Sequence, residues 1–285
     1  MKTQKEPRWP GLVTVLSTVV PPVTIATALL VYFGWARSDA QARAMGLDVS
    51  LFGYSVQDYM LRSVRSLSFV LVSTMMVAIV WVEADRWVRK RLESRNNQTV
   101  IGRVALIVTA VSIVVTATAW LLAIVRPEWS VLFVPYIMAL GVLIGAWAVS
   151  IRRQARRSPA SQPSTAHVVV EKSLVFALVT PLLFWGTADF AQMAGRGQAL
   201  EIERNINSMP RADVYSPQRM ALTAQNVTEQ QAGTAGSPIY HYRGLRLLVL
   251  SGHRFFLLHD GWTLANGTVT VIPDDNNVRL DFSND

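Results

Sequence analysis

Five long runs of apolar residues constrain this chain more than any other feature of its sequence. They lie near residues 12–35, 66–82, 104–125, 129–151 and 173–190. A helix of about 17–25 apolar residues crosses the hydrocarbon core of a bilayer, and within that core only helices and closed barrels satisfy every backbone hydrogen bond. The sequence therefore predicts an α-helical membrane bundle of about five transmembrane helices, spanning residues 11–192.

The first run has a competing interpretation as a secretory signal peptide, with Ala26-Thr27-Ala28 as its cleavage site. A signal peptide has an apolar stretch of about 7–15 residues, whereas no charged residue occurs between Gly11 and Trp35. The length favours a membrane anchor.

Positive charge is concentrated beside these runs. Residues 1–193 contain 19 Lys and Arg against 10 Asp and Glu, whereas residues 194–285 contain 8 against 9. Residues 1–10, 83–103 and 152–172 hold 3, 6 and 5 Lys and Arg, and the two intervening connections hold 4 and 1. Because basic residues favour the cytoplasmic side, we expect a plasma-membrane protein with a cytoplasmic N-terminus (1–10) and an extracytoplasmic C-terminus. This distribution does not resemble a nucleic-acid groove.

The connection at residues 36–65 is polar but carries signals for folded structure. Ser38-x-x-Gln41 and Ser55-x-x-Asp58 both fit a capping box. We expect a short helix near Asp39 to Met45, a turn, and a new helix from Ser55, packed against the base of the outer domain. The candidate partner or ligand surface of this connection consists of Arg37, Arg43, Asp58 and Tyr59.

Residues 193–285 are predicted to form a helical stalk and a small mainly-β extracytoplasmic domain, because the apolar pattern changes to a period of two near residue 211. Strands are predicted at residues 213–215, 219–223, 245–250, 254–259, 268–272 and 278–282. Gly252-His253 fits a two-residue hairpin turn. This turn would place Leu248 opposite Leu257 and Leu250 opposite Phe255.

No motif predicts a catalytic centre, metal site or cofactor. The chain has no cysteine and four histidines. The spacing of His241, His253 and His259 matches no zinc pattern, and we expect them at the surface. The oxygen-rich stretch at residues 273–277 lacks the EF-hand order and is typical of a turn.

Gly141-x-x-x-Gly145 is a candidate helix-packing face. Small residues at this spacing bring membrane helices close together. The contact would lie either within the bundle or between copies of the chain, so a homo-oligomer is one expectation.

Two groups of residues resemble a group of uncharacterised multi-pass membrane proteins of actinobacteria, Streptomyces-like in style. One group comprises Gly34–Arg37, Gln41–Arg43, Gln57–Tyr59 and Leu61–Ser63, and the other comprises Val214–Ser216, Tyr242–Leu248, Phe256–Leu258, Gly261-Trp262 and Ile272–Asp275. The resemblance implies the same order of membrane helices followed by a β domain, and it implies no activity.

The favoured function is a binding, scaffolding or receptor-like module that acts through the β domain. Its expected partners are the bilayer and another membrane or envelope protein. A channel or uncoupled transporter is the first alternative, although the cores of the runs lack the ionisable groups that coupled transport uses. A membrane-embedded enzyme is the second.

Overall fold

Five α-helices precede an antiparallel sheet in the computed structural model, which describes residues 10–92, 98–125, 132–156, 165–234, 237–275 and 277–283. The helices are α1 (Pro10–Ala44), α2 (Val56–Leu92), α3 (Gln98–Val125), α4 (Val134–Arg156) and α5 (Thr165–Arg204), with 3-10 helices at Val49–Phe52 and Ile206–Ser208. The strands are β1 (Arg211–Ser216), β2 (Thr228–Thr234), β3 (Ser237–Ser251), β4 (Arg254–His259), β5 (Val269–Pro273) and β6 (Arg279–Ser283).

Four helical stretches have the length and apolar composition of membrane spans: Leu67–Arg91, Thr99–Val125, Val134–Ala155 and Val168–Arg204. They confirm a multi-pass helical layout followed by a β domain. The first predicted span lies in α1, but the side chains of residues 10–22 are outside the described part of the chain. That span therefore stays a prediction, and the predicted turn at residues 126–128 is also outside the described part.

The chain forms two compact units. The first unit contains the residues up to Val64 and those from Ala191 onward, and the second contains Arg65–Phe190. The boundaries fall inside α2 and α5.

In the second unit, α3 and α4 approach closely at the predicted packing face. A Cβ on Gly141 would lie 2.1 Å from Oγ1 of Thr116, and one on Gly145 would lie 3.5 Å from Cβ of Ser112. Both glycines of this face thus contact a helix of the same chain.

The predicted short helix near Asp39 to Met45 is wrong, because α1 runs without a break to Ala44. Ser38 lies inside α1 and is buried, so it caps nothing. Burial of Ala40 and Ala42 beside it favours continuation of the helix, which ends where Gly46 adopts a φ of +74°.

The second capping box is confirmed. The Ser55 backbone N–H and hydroxyl each donate to Oδ2 of Asp58 at 2.8 Å, and the Asp58 N–H donates to Ser55 Oγ. These bonds fix the start of α2.

The sheet has the strand order β5-β4-β3-β1-β6, and β2 pairs with the first half of β3. It is strongly curved. The rings of Phe255 on β4 and Phe282 on β6 have centroids 6.2 Å apart, although two strands at a spacing of about 4.8 Å separate them in the sheet. Only residues 274–278 connect the edge strands β5 and β6, as the curvature requires.

Two strand predictions need correction. Residues 219–223 form no strand, because Ala221 adopts a positive φ of 48° and the Met220 N–H donates to the Tyr242 hydroxyl instead of to a neighbouring strand. Strand β2 was not predicted, since its sequence TEQQAGT has no apolar alternation and every residue in it is exposed.

The β3–β4 hairpin follows the predicted register only next to its turn. Leu250 pairs with Phe255 as expected, but an irregularity between Leu247 and Val249 shifts the ladder, so Leu257 pairs with Leu247 and not with Leu248. An extra residue at such a bulge is left without a partner. Both turn residues have a φ of 56°, as in a type I′ turn.

This hairpin is buried on both faces. One face joins the core inside the curved sheet, which includes Tyr242, Leu245 and Leu257. The other face places Phe256 and Leu258 against residues of α1, α5 and the Val49–Phe52 helix. The β domain is therefore completed by helical segments of the first unit.

Candidate functional site

The ends of three helices meet in the first unit with very close backbone approaches. A Cβ on Gly34 of α1 would lie 1.8 Å from the Tyr59 carbonyl oxygen of α2. A Cβ on Gly195 of α5 would lie 2.1 Å from the Arg37 carbonyl oxygen of α1. Only glycine fits at either contact, so α1 is held against both neighbours.

A repeat of small residues accompanies the α1–α5 contact, and the sequence analysis missed it. Small residues occur every four positions on both helices, and all are buried: Ala36 and Ala40 on α1, and Ala191, Gly195 and Ala199 on α5. Small residues at this spacing are typical of closely packed membrane helices. The pattern was visible in the sequence, but Gly195 and Ala199 fall in the part from residue 193 onward that was interpreted there as a stalk.

Arg37, one of the four predicted site residues, connects these three helices. Its guanidinium donates to the Arg62 carbonyl oxygen on α2 and to Oε1 of Gln198 on α5, both at 2.9 Å. The residue lies half-buried between the helices, where it fixes their ends.

A column of aromatic rings joins the α2 start to the sheet. The ring of Phe52 lies 4.6 Å from that of Phe256 on β4 and stacks on Tyr54 at 5.1 Å. The Arg62 guanidinium lies 4.0 Å above the Tyr54 ring, and Tyr59 meets Tyr54 edge-on. Burial raises the pKa of Tyr54 and of Tyr59, while the Arg62 cation opposes that shift in both.

The turn of the β3–β4 hairpin is attached to the same segment. The Ser251 hydroxyl donates to the Phe52 carbonyl oxygen. A Cβ on Gly252 would lie 3.1 Å from that oxygen, and one on Gly53 would lie 3.3 Å from Cα of Gly252. Thus Phe52 and Gly53, within the connection at residues 36–65, contact the turn of the β3–β4 hairpin.

The other predicted site residues have separate surroundings. Asp58 is the capping carboxylate of α2, and its hydrogen bonds with Ser55 lower its pKa. Arg43 forms an ion pair with Asp39, and the hydrogen bond between their side chains raises the pKa of Arg43. Its side chain is 71% exposed, so Arg43 is the most accessible of the four.

Strand β2 presents a free edge. All seven residues are exposed, and one side pairs with β3, whereas the other pairs with no strand in the described part of the chain. The remaining edge strands carry protective residues: Pro273 ends β5, and β6 has Arg279. Proline and basic side chains discourage added strands, and β2 contains neither.

The prediction that His241, His253 and His259 lie at the surface is wrong for His241 and His259. His241 is buried, stacks on Tyr215 and lies 3.5 Å from Asp213, and His259 is buried with Nδ1 3.0 Å from the Asp260 carbonyl oxygen. Both lie in strands whose neighbours cover them. Within the described residues, no group of three metal-binding side chains occurs.

The side chain of buried Arg246 is held by hydrogen bonds to other residues of the chain. It pairs with Asp260 at 2.6 Å and donates to the carbonyl oxygens of Asn207 and Met209. These bonds join the end of the helical segment to β3 and to the loop after β4.

Comparison of the chain with protein-family models, curated proteins and solved structures finds no significant match.

Proposed function

We propose that this protein is a membrane-anchored binding module that presents its β domain on the extracytoplasmic side. The observation that carries the proposal is the attachment of that domain to the helix ends. Phe52, Ser251 and Phe256 join sheet and helices through a ring contact and a hydrogen bond. A domain that served only as a tethered cap would not require such a fixed orientation, whereas recognition of a partner at a set position does.

The free edge of β2 is the recognition surface in this proposal. An extended peptide segment can add to an exposed sheet edge, with affinity from main-chain hydrogen bonds. The edge is seven residues long and its side chains are nearly uncharged, with only Glu229, which pairs with Arg219. The partner is therefore an extended, polar segment of an envelope protein.

Photo-crosslinking in native membranes tests the edge. A photoreactive residue at Ala232 on β2 should give one discrete protein adduct, and the same residue at exposed Gln218, outside the strands, should not. Gln230→Lys should remove the adduct because edge lysines oppose strand addition. Equal labelling at both positions, or an adduct that persists with Gln230→Lys, would contradict the edge as recognition surface.

Sidedness is a separate part of the proposal, supported by the distribution of basic residues. The chain has no cysteine, so single cysteines report accessibility without background. In intact cells, Gln218→Cys should react with a membrane-impermeant thiol reagent, and Lys90→Cys should react only after lysis. The opposite pattern would place the β domain in the cytoplasm.

A further inference from the structure

A cleft of about 660 Å³ lies between α2, α4 and α5, entirely within the second unit. Its volume is within the range of about 300–1,000 Å³ that is typical of small-molecule sites. Its wall is apolar and aromatic at one end, formed by Trp81, Leu143, Trp147 and Phe176, and charged at the other. The lining is thus amphipathic.

The charged end carries Arg89, Arg153 and Lys172. Arg89 donates to Asp85 at 2.6 Å and to Gln154 at 3.2 Å, and Arg153 pairs with Glu171. Among the described residues, Lys172 has no ion pair. Three cations therefore face two carboxylates.

The carboxylate of Asp85 accepts hydrogen bonds from two side chains. Besides Arg89, the indole N–H of Trp147 donates to Asp85 at 2.7 Å, and the Trp147 ring meets Trp81 at 5.5 Å. Asp85 thus orients the arginine and the aromatic wall together. The remaining N–H groups of the arginines and the Lys172 ammonium are suited to an anion.

The parts of α2, α4 and α5 that line this cleft belong to stretches that are long and apolar enough to span a membrane. An apolar recess in such a position is filled by hydrocarbon, and basic pockets between membrane helices bind anionic head groups. We propose that the cleft binds a phospholipid with an anionic head group, whose phosphate contacts Arg89, Arg153 and Lys172 and whose acyl chain follows the aromatic wall.

The test is lipid retention by the purified full-length protein in mild detergent, measured by native mass spectrometry. The probes are dioleoyl phosphatidylglycerol and dioleoyl phosphatidylcholine, which share acyl chains and differ in head-group charge, and inorganic phosphate. We expect one phosphatidylglycerol to be retained under conditions where phosphatidylcholine is lost. Equal retention of both lipids would overturn the proposal.

Variants locate the site. Lys172→Gln should weaken phosphatidylglycerol binding about fivefold, whereas Lys90→Gln, which removes a charge outside the cleft, should leave it unchanged. Ala146→Phe should fill the recess and reduce retention while every charge remains. Equal effects of the two lysine variants would indicate surface charge alone. Competition by inorganic phosphate at the lipid's own concentration would indicate a soluble-anion site and refute lipid binding.

Discussion

The contact between Gly195 and the Arg37 backbone gives the sharpest test of how the first unit is packed. A Cβ at Gly195 would lie 2.1 Å from the Arg37 carbonyl oxygen and 3.1 Å from Cβ of Ala40. Ordinary carbon–oxygen contacts are about 3.3–3.6 Å, so Gly195→Ala requires the helices to separate by more than about 1 Å. Overpacking of this kind costs about 1–3 kcal/mol.

Gly197→Ala is the matched control, two residues along the same helix. A Cβ there would meet nothing within 4 Å. Alanine is favoured over glycine within a helix by about 0.5–1 kcal/mol, and this gain applies to both variants. The difference between the two therefore isolates the contact with α1.

Thiol labelling measures this difference, because the chain has no native cysteine. A cysteine at the fully buried Ala42 reacts only when the local structure opens. Compared with Gly197→Ala, Gly195→Ala should label about 5- to 150-fold faster, which corresponds to about 1–3 kcal/mol. Equal labelling rates in the two variants would show that α1 and α5 do not approach as described.

Three further predictions concern the segment around the hairpin turn and the start of α2. Ser251→Ala removes the hydrogen bond to the Phe52 carbonyl oxygen and should lower the free energy of unfolding by about 1 kcal/mol; an unchanged thermal midpoint would contradict that bond. His253→Gly should stabilise the hairpin by about 0.5–1 kcal/mol, because relief of the strain that the positive φ imposes on histidine outweighs the greater conformational entropy that glycine loses on folding, and a lower midpoint would refute the turn geometry. The lowered pKa of Asp58 means that its cap stabilises α2 above the unfolded-state pKa of about 4 and is lost as pH falls through the folded-state value. Protection of the amides in the first turn of α2, measured relative to the intrinsic exchange rate at each pH, should therefore fall in acid, and Asp58→Asn, which has no carboxylate to titrate, should abolish this pH dependence; a variant with the same acid response as the parent protein would show that the cap is not its source.

Local signals in the sequence identified those parts of the fold that depend on local interactions. Uninterrupted apolar runs located four candidate spans, and the Ser55–Asp58 box located the start of α2, since both act within a few turns of chain. The Ser38 box failed because burial of Ala40 and Ala42 against other segments outweighs a local capping preference.

The remaining errors concern contacts between distant segments. The bulge near Leu248 allows strand β3 to place side chains in two different cores. Counting residues outward from the predicted turn cannot locate such a bulge. Strand β2 is held by β3 and not by its own composition. For the site, the sequence predicted that the connection would be folded and would pack on the β domain, but the partners Phe52 and Phe256 belong to distant parts of the chain.

The attachment of Ser251 to Phe52 has a consequence for the order in which the protein is made. The two residues are 199 positions apart, and ribosomes add about 5–20 residues per second. The strands that cover the apolar surface around Phe52 are therefore synthesised about 10–40 s after Phe52 itself. A chain truncated before the β3–β4 hairpin would keep that surface uncovered permanently, and proteolytic quality control should remove it although its membrane helices are already inserted.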